Sequence, residues 1–97
     1  MTPIQRRRAK QLRALVAKGA LVSCSRLMEE ADDGRYLAAS IKRHGDFYLV
    51  YIEAYYATPP HGQEIAQDSW FFDDLDEALR RLVEASGIPL HAFNHRP

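Results

Sequence analysis

The stretch Arg35–Tyr56, RYLAASIKRHGDFYLVYIEAYY, decides how this chain folds. Two runs rich in aliphatic and aromatic residues, Tyr36–Arg43 and Phe47–Tyr56, flank His44-Gly45-Asp46. Such runs joined by a glycine-bearing tip predict a β-hairpin. A two-residue loop with glycine first suits a type II′ turn, here Gly45-Asp46. Paired positions then sum to 91, so Ile41 faces Val50, Ala39 faces Ile52 and Leu37 faces Ala54. One side of the hairpin becomes uniformly apolar. A three-residue loop instead sums to 90 and sets Leu37 opposite Glu53 on the same face. Since a slip of one residue carries a strand's side chains to the other face, the cleaner sorting predicts the two-residue turn.

In that register the second side displays Tyr36, Ala38, Ser40 and Lys42 beside Phe47, Leu49, Tyr51, Glu53 and Tyr55. Cover by the N-terminal helix, or ordinary cross-strand pairing, would each explain these residues structurally. Left open, an aromatic patch with a polar rim is a surface for a protein partner or for a second copy of the chain. The predicted protein-binding residues are Tyr36, Phe47, Leu49, Tyr51 and Tyr55. Sheet aromatics also stack on single-stranded nucleic acid, but the strands offer only Lys42 and Arg43 as cations, both near one end.

Beyond the hairpin, Ala57-Thr58-Pro59-Pro60-His61-Gly62 reads as a loop, because consecutive prolines interrupt ladder pairing. A third strand is predicted over Glu64–Phe71. Asp73 or Asp74 then caps a helix over 74–86, with Glu77 three residues beyond Asp74 approximating a capping box. Leu75, Ala78, Leu79, Leu82 and Val83 form a core-facing stripe at helical spacing. Gly87 is the residue just past the end, Ile88 is set for the contact that often follows, and Pro89 prevents continuation. Residues 88–97 are a tail.

Before the hairpin, Thr2-Pro3 opens a helix within residues 1–19, Thr2 as cap and Pro3 in the first turn, and Gly19 ends it. Leu12, Leu15 and Val16 make an apolar face in its second half, while Ile4 and Ala9 are all the first half offers. The second half is expected to dock and the first to project. Residues 20–34 are ambiguous: Ala20–Cys24 suits a short strand, whereas Ser25 suits the cap of a brief helix carrying Leu27, Met28 and Ala31. The helix is the favoured prediction. Asp32-Asp33-Gly34 is a turn signal either way. The expected architecture is therefore α+β: an N-terminal helix, a three-stranded antiparallel meander over 35–72, and a C-terminal helix packed on the sheet.

Ninety-seven residues make one domain, 1–97. A composition 46% hydrophobic and 27% charged belongs to a chain that folds rather than to a disordered one. Thirteen basic and thirteen acidic residues cancel, so bulk charge argues for neither nucleic acid nor membrane. No stretch approaches the roughly 18 apolar residues of a membrane-spanning helix. No apolar run of signal-peptide length follows the N-terminal cations. Cys24 is the only cysteine, which excludes an intramolecular disulfide and fits a reducing compartment, the cytoplasm.

Charge is distributed less evenly than the total suggests. Residues 1–30 hold seven Lys/Arg against two Glu, and the remainder is correspondingly acidic. Arg6, Arg7, Arg8, Lys10 and Arg13 are the candidate nucleic-acid-binding residues, although a basic helix face that pairs with an acidic body explains them equally. Helix, Gly19, a second short helix and a Gly45-tipped hairpin superficially resemble a winged helix-turn-helix. Glu29, Glu30, Asp32 and Asp33 would then sit where phosphates bind, the wrong sign for counterion release.

Reactive constellations are sparse. Cys24 with one of the four histidines could form a nucleophile–base pair, but no local signature surrounds it, and a half-buried core thiol is the simpler reading. His91 and His95 have zinc-like spacing, yet Pro89 precedes them and the tail lacks helical pattern. His44 and His61 fall at predicted loop tips. Asp73, Asp74, Asp76 and Glu77 do not have calcium-loop spacing, and negative charge in a first helical turn is explained by the helix dipole. The isolated glycines form no phosphate cradle. The resulting expectation is a non-catalytic interaction module without metal or cofactor, nucleic-acid binding through the basic helix being the alternative.

Overall fold

The computed structural model describes residues 1–27, 35–56 and 64–96. Its elements are α1 (Pro3–Ala17), β1 (Leu21–Leu27), β2 (Arg35–His44), β3 (Phe47–Tyr56), β4 (Glu64–Phe72), α2 (Leu75–Ser86), a 3-10 turn (Leu90–Ala92) and β5 (Asn94–Arg96). The strands form one antiparallel sheet in the order β4-β3-β2-β1-β5, so the class is α+β as expected.

The hairpin has the expected register: Leu37 pairs with Ala54, Ala39 with Ile52 and Ile41 with Val50. At its tip Gly45 has φ +62°, while among the described residues no non-glycine residue has positive φ. Positive then negative φ is the sign pattern of a II′ turn, whose twist matches that of the flanking strands. Side chains alternate across a strand, so this register alone puts Leu37, Ala39, Ile41, Val50 and Ile52 on one face. All five are buried there.

Both helices lie on that face. Leu12 and Val16 of α1, and Leu75, Ala78, Leu79 and Leu82 of α2, join the same apolar cluster as Val22, Ile41 and Val50. The start of α1 is a reciprocal capping box: Thr2 Oγ1 accepts from the Gln5 amide at 3.1 Å, and Gln5 Oε1 accepts from the Thr2 amide at 2.9 Å. Its end is a Schellman turn, with Ala20 N–H donating to Leu15 C=O at 2.9 Å and Gly19 N–H to Val16 C=O at 3.0 Å. As expected, the second half of α1 docks and Ile4 in the first half is 80% exposed. For α2, Asp74 is the cap and accepts from the Glu77 amide at 3.0 Å. Gly87 ends it in the left-handed region.

Two parts of the sequence reading are corrected. Ser25–Leu27, where the favoured helix was expected to begin, instead continue the strand read as the alternative over Ala20–Cys24: β1 spans Leu21–Leu27, while Met28, Ala31 and the Asp32-Asp33-Gly34 signal lie outside the described residues. The physical reason is visible in Val22-Ser23-Cys24-Ser25: its period is two, with Val22 and Cys24 against the core and the serines opposite. A β1 beside β2 satisfies the backbone of both strands, which a seven-residue helix could not do. The second correction concerns the tail. It returns past α1 and adds β5 to β1 through Leu21–Ser23, making five strands among the described residues where three were expected. Phe93, 1% exposed, anchors the return; burying a side chain of this kind is worth about 1.5–3 kcal/mol. The predicted loop at 57–62 lies outside the described residues.

Arginines fasten the carbonyl ends of both helices to the sheet. Arg43 donates to Ala17 C=O at 2.9 Å and to Gly45 C=O at 2.8 Å, tying α1 to the hairpin tip. Arg26 of β1 donates to Ser86 C=O at 3.2 Å. A cation at a helix C-terminus meets both unpaired carbonyls and the negative dipole end. Ser86 is buried yet fully used: its hydroxyl donates to Leu82 C=O at 2.6 Å and accepts from Ile88 N–H at 3.1 Å.

Candidate functional site: the helix-free face of the sheet

Because both helices occupy the Ile41/Val50 side, alternation leaves the opposite side of the sheet free of them. The predicted residues Tyr36, Phe47, Leu49, Tyr51 and Tyr55 all lie on that side. Phe47 is 52% exposed, and the other four are half-buried by their neighbours within the sheet. Phe71 of β4, paired with Leu49, extends the patch and is 65% exposed. Two large, apolar side chains thus stand in solvent on one face.

Position along the strands sorts the face into rows. A central row runs Ser23, Ser40, Tyr51, Ser69 from β1 to β4. One step to one side lie Lys42, Leu49 and Phe71. One step to the other lie Ser25, Ala38, Glu53 and Gln67. Beyond these, Tyr36 and Tyr55 are cross-strand partners whose rings stack at 5.8 Å between centroids, 16° from parallel. That geometry is the favourable stacked type and fixes both rings.

Small residues on β1 and β2 beside large ones on β3 produce relief. Ser23, Ser25, Ala38 and Ser40 form the low ground, and Tyr51, Glu53 and Tyr55 the wall, of a hollow of about 340 Å³. That lies at the small end of the 300–1,000 Å³ range of ligand pockets. Tyr51 Oη sits 3.0 Å from Glu53 Oε2 and 2.7 Å from Gln67 Oε1. This places the half-buried Glu53 carboxylate against a phenol, and no cation pairs with it among the described residues. A larger hollow of about 510 Å³ lies on the other side, between α1 and the tail, with mainly aliphatic walls from Ala9, Val83, Pro89 and Leu90.

Other candidates are dispersed. Of the five basic residues of α1, Arg13 pairs with Asp76 at 2.9 Å, Arg8 donates to Phe93 C=O at 3.3 Å, and Arg6 donates to Met1 C=O at 3.4 Å. The Arg13 guanidinium holds the Asp76 carboxyl below its ordinary range by hydrogen bond and charge, and Asp76 raises Arg13 in return. Arg7 and Lys10 are exposed. Cys24 is half-buried and packs against the core. His91 lies in the 3-10 turn and His95 in β5, so their spacing does not share a helix face. Among the described residues no group of three or more His, Cys, Asp or Glu is placed to hold a metal ion. Asp74 and Asp76 are occupied with capping and with Arg13. Among the described residues no helix is long and apolar enough to cross a membrane.

Sequence reasoning missed Ser23, Ser25 and Phe71 as members of the face. Ser25 falls in the favoured helix, and Ser23 in the strand alternative over Ala20–Cys24, which carried no sheet register. The signal for Phe71 was present, since Gln67, Ser69 and Phe71 alternate with Trp70 and Phe72, which pack on the core. Arg81 over the Trp70 ring, 5.2 Å from its centroid, was also not foreseen. Comparison of the chain with protein-family models, with curated proteins and with solved structures gave no match, so the reading of function rests on the geometry above.

Proposed function

We propose that this chain is a non-catalytic interaction module that docks a protein surface on the helix-free face of its sheet. One observation carries the reading: Phe47, Leu49, Tyr51, Tyr55 and Phe71 share a face from which both helices are absent. Aromatic residues are enriched at protein interfaces, and Tyr supplies apolar area together with a hydrogen-bonding tip. The serines and Gln67 around them supply the polar rim of such a surface. With a single cysteine, the working compartment is expected to be a reducing one.

The alternative, binding of a polyanion by α1, has weaker support, because Arg13, Arg8 and Arg6 already serve contacts within the fold. It implies salt-sensitive retention on a polyanionic column that replacement of Arg6, Arg7 and Arg8 abolishes.

The docking reading is tested with Tyr51→Ala and Tyr55→Ala in the complex or dimer isolated from the native source. Each is expected to weaken association about tenfold, equivalent to 1.4 kcal/mol. Unchanged association in both variants would falsify the assignment of this face.

A further inference from the structure

We infer that the docking surface is self-complementary and that its occupant is a second copy of this chain, held face to face by reciprocal Lys42–Glu53 pairs. The inference rests on the docking reading above and adds the identity and register of the partner. Among the side chains described on this face of β1 to β4, Lys42 is the one base and Glu53 the one acid of the three central rows. They lie four residue steps apart along the strands, about 13 Å, too far to pair within one copy. Neither has an ionic partner among the described residues.

Their placement is symmetric about the central row. Lys42 on β2 lies one row to one side of Ser40 and Tyr51, and Glu53 on β3 one row to the other. A two-fold axis parallel to that row, midway between two stacked sheets, exchanges the flanking rows. Lys42 then stands over Ala38 of the second copy, next to that copy's Glu53 on the adjacent strand, about 4.8 Å to the side. Stacked sheets are about 10 Å apart, which the combined reach of a lysine and a glutamate spans. The symmetry generates the same pair a second time, as an isologous interface requires.

Shape agrees with charge. The long Lys42 meets the small Ala38, Leu49 covers the aliphatic stem of Glu53, and Phe47 meets Tyr55 of the second copy. Tyr51 lies in the central row and so meets Tyr51 of the second copy, with Ser40 beside it on β2 leaving room for the two rings to pack side by side. The face spans roughly 30 Å along the strands and 20 Å across four of them, or about 600 Å² per copy before side-chain relief. Twice that area is at the lower end for stable specific interfaces, which points to a dimer of modest affinity.

The experiment measures mass by light scattering and sedimentation equilibrium for the whole chain from about 1 µM to 1 mM, the span a modest interface requires. The wild type is expected to form a dimer. Lys42→Glu and Glu53→Lys each set like charges together at two places and are expected to raise the dimer dissociation constant at least tenfold. The double variant exchanges both partners and is expected to return it to within about threefold of wild type, because the repulsion is again attraction. Lys42→Gln and Glu53→Gln provide neutral versions, with far-UV circular dichroism confirming that each variant folds.

A wild-type monomer across the whole range overturns the second copy as occupant. It leaves the docking face itself to the tyrosine variants in a complex with another protein. A dimer that Tyr51→Ala dissociates but that ignores both charge reversals overturns the Lys42–Glu53 register. Failure of the double variant to recover affinity overturns it as well.

Discussion

Arg43 shows how one side chain fixes relations that backbone pairing leaves open. Its two bonds, to Ala17 C=O and Gly45 C=O, hold the end of α1 at the hairpin tip and so help keep that helix on the core side of β2. Asp76 does related work at the surface by pairing with Arg13 across from α2 to α1. Its carboxyl lies below the ordinary 3.8 because Arg13 donates to it and carries positive charge. A carboxyl depressed in the folded state stabilises the fold above its unfolded value, and the contribution is lost as pH falls through the folded value. Urea unfolding at pH 7 and at pH 3 is therefore expected to show a smaller acid loss of stability in Asp76→Asn than in the wild type. An equal loss in both would mean the pair contributes nothing, as many exposed pairs do. At this scale the sequence was partly legible. Asp74, Gly87, Thr2 and Gly45 declared their roles through known capping and turn chemistry. Arg43, Arg26 and Arg13 did not, since their partners lie on other elements.

Periodicity governs what can be read at the scale of elements. The stripe Leu75, Ala78, Leu79, Leu82 of α2 repeats at helical spacing and is buried as expected, with Val83 half-buried at its edge. Leu82 is fully enclosed between α2 and the sheet. Leu82→Ala is expected to cost about 2–5 kcal/mol, the range for a leucine cavity in a packed core. Denaturant unfolding checks it; a change below about 1 kcal/mol would show that α2 is not docked on this sheet. The β2–β3 register was legible because only one pairing segregates apolar from polar residues. By contrast, β1 was obscured: Leu21 and Leu27 interrupt the alternation of Val22-Ser23-Cys24-Ser25, and Arg26 falls among the inward positions. Its guanidinium is accommodated there by the carbonyl end of α2, a partner that no local pattern reveals. Likewise β5 is three residues of a polar tail whose strand character comes from β1 alone.

Considered as a whole molecule, the described residues place a layer of helices on one side of the sheet and none on the other. A five-stranded sheet with one covered face needs its second face either solvated by polar residues or covered by another body. Among the described residues nothing covers that face, and it is not uniformly polar: tyrosines and two exposed phenylalanines lie among serines. The candidate site was legible in the hairpin register, whereas its openness was not, because it depends on which face α1 chooses, and that choice is made by Leu12 and Val16 packing with Val22 and Ile41. The most direct measurement is hydroxyl-radical labelling of the chain alone at high dilution and in its assembled state. Phe47, Tyr51, Tyr55 and Phe71 should be labelled when dilute and protected on assembly, while Tyr48 on the core side stays unchanged. Protection that falls instead on Met1, Ile4 and Leu90, with the four sheet residues still labelled, would contradict the proposal and move the docking surface to the helical side.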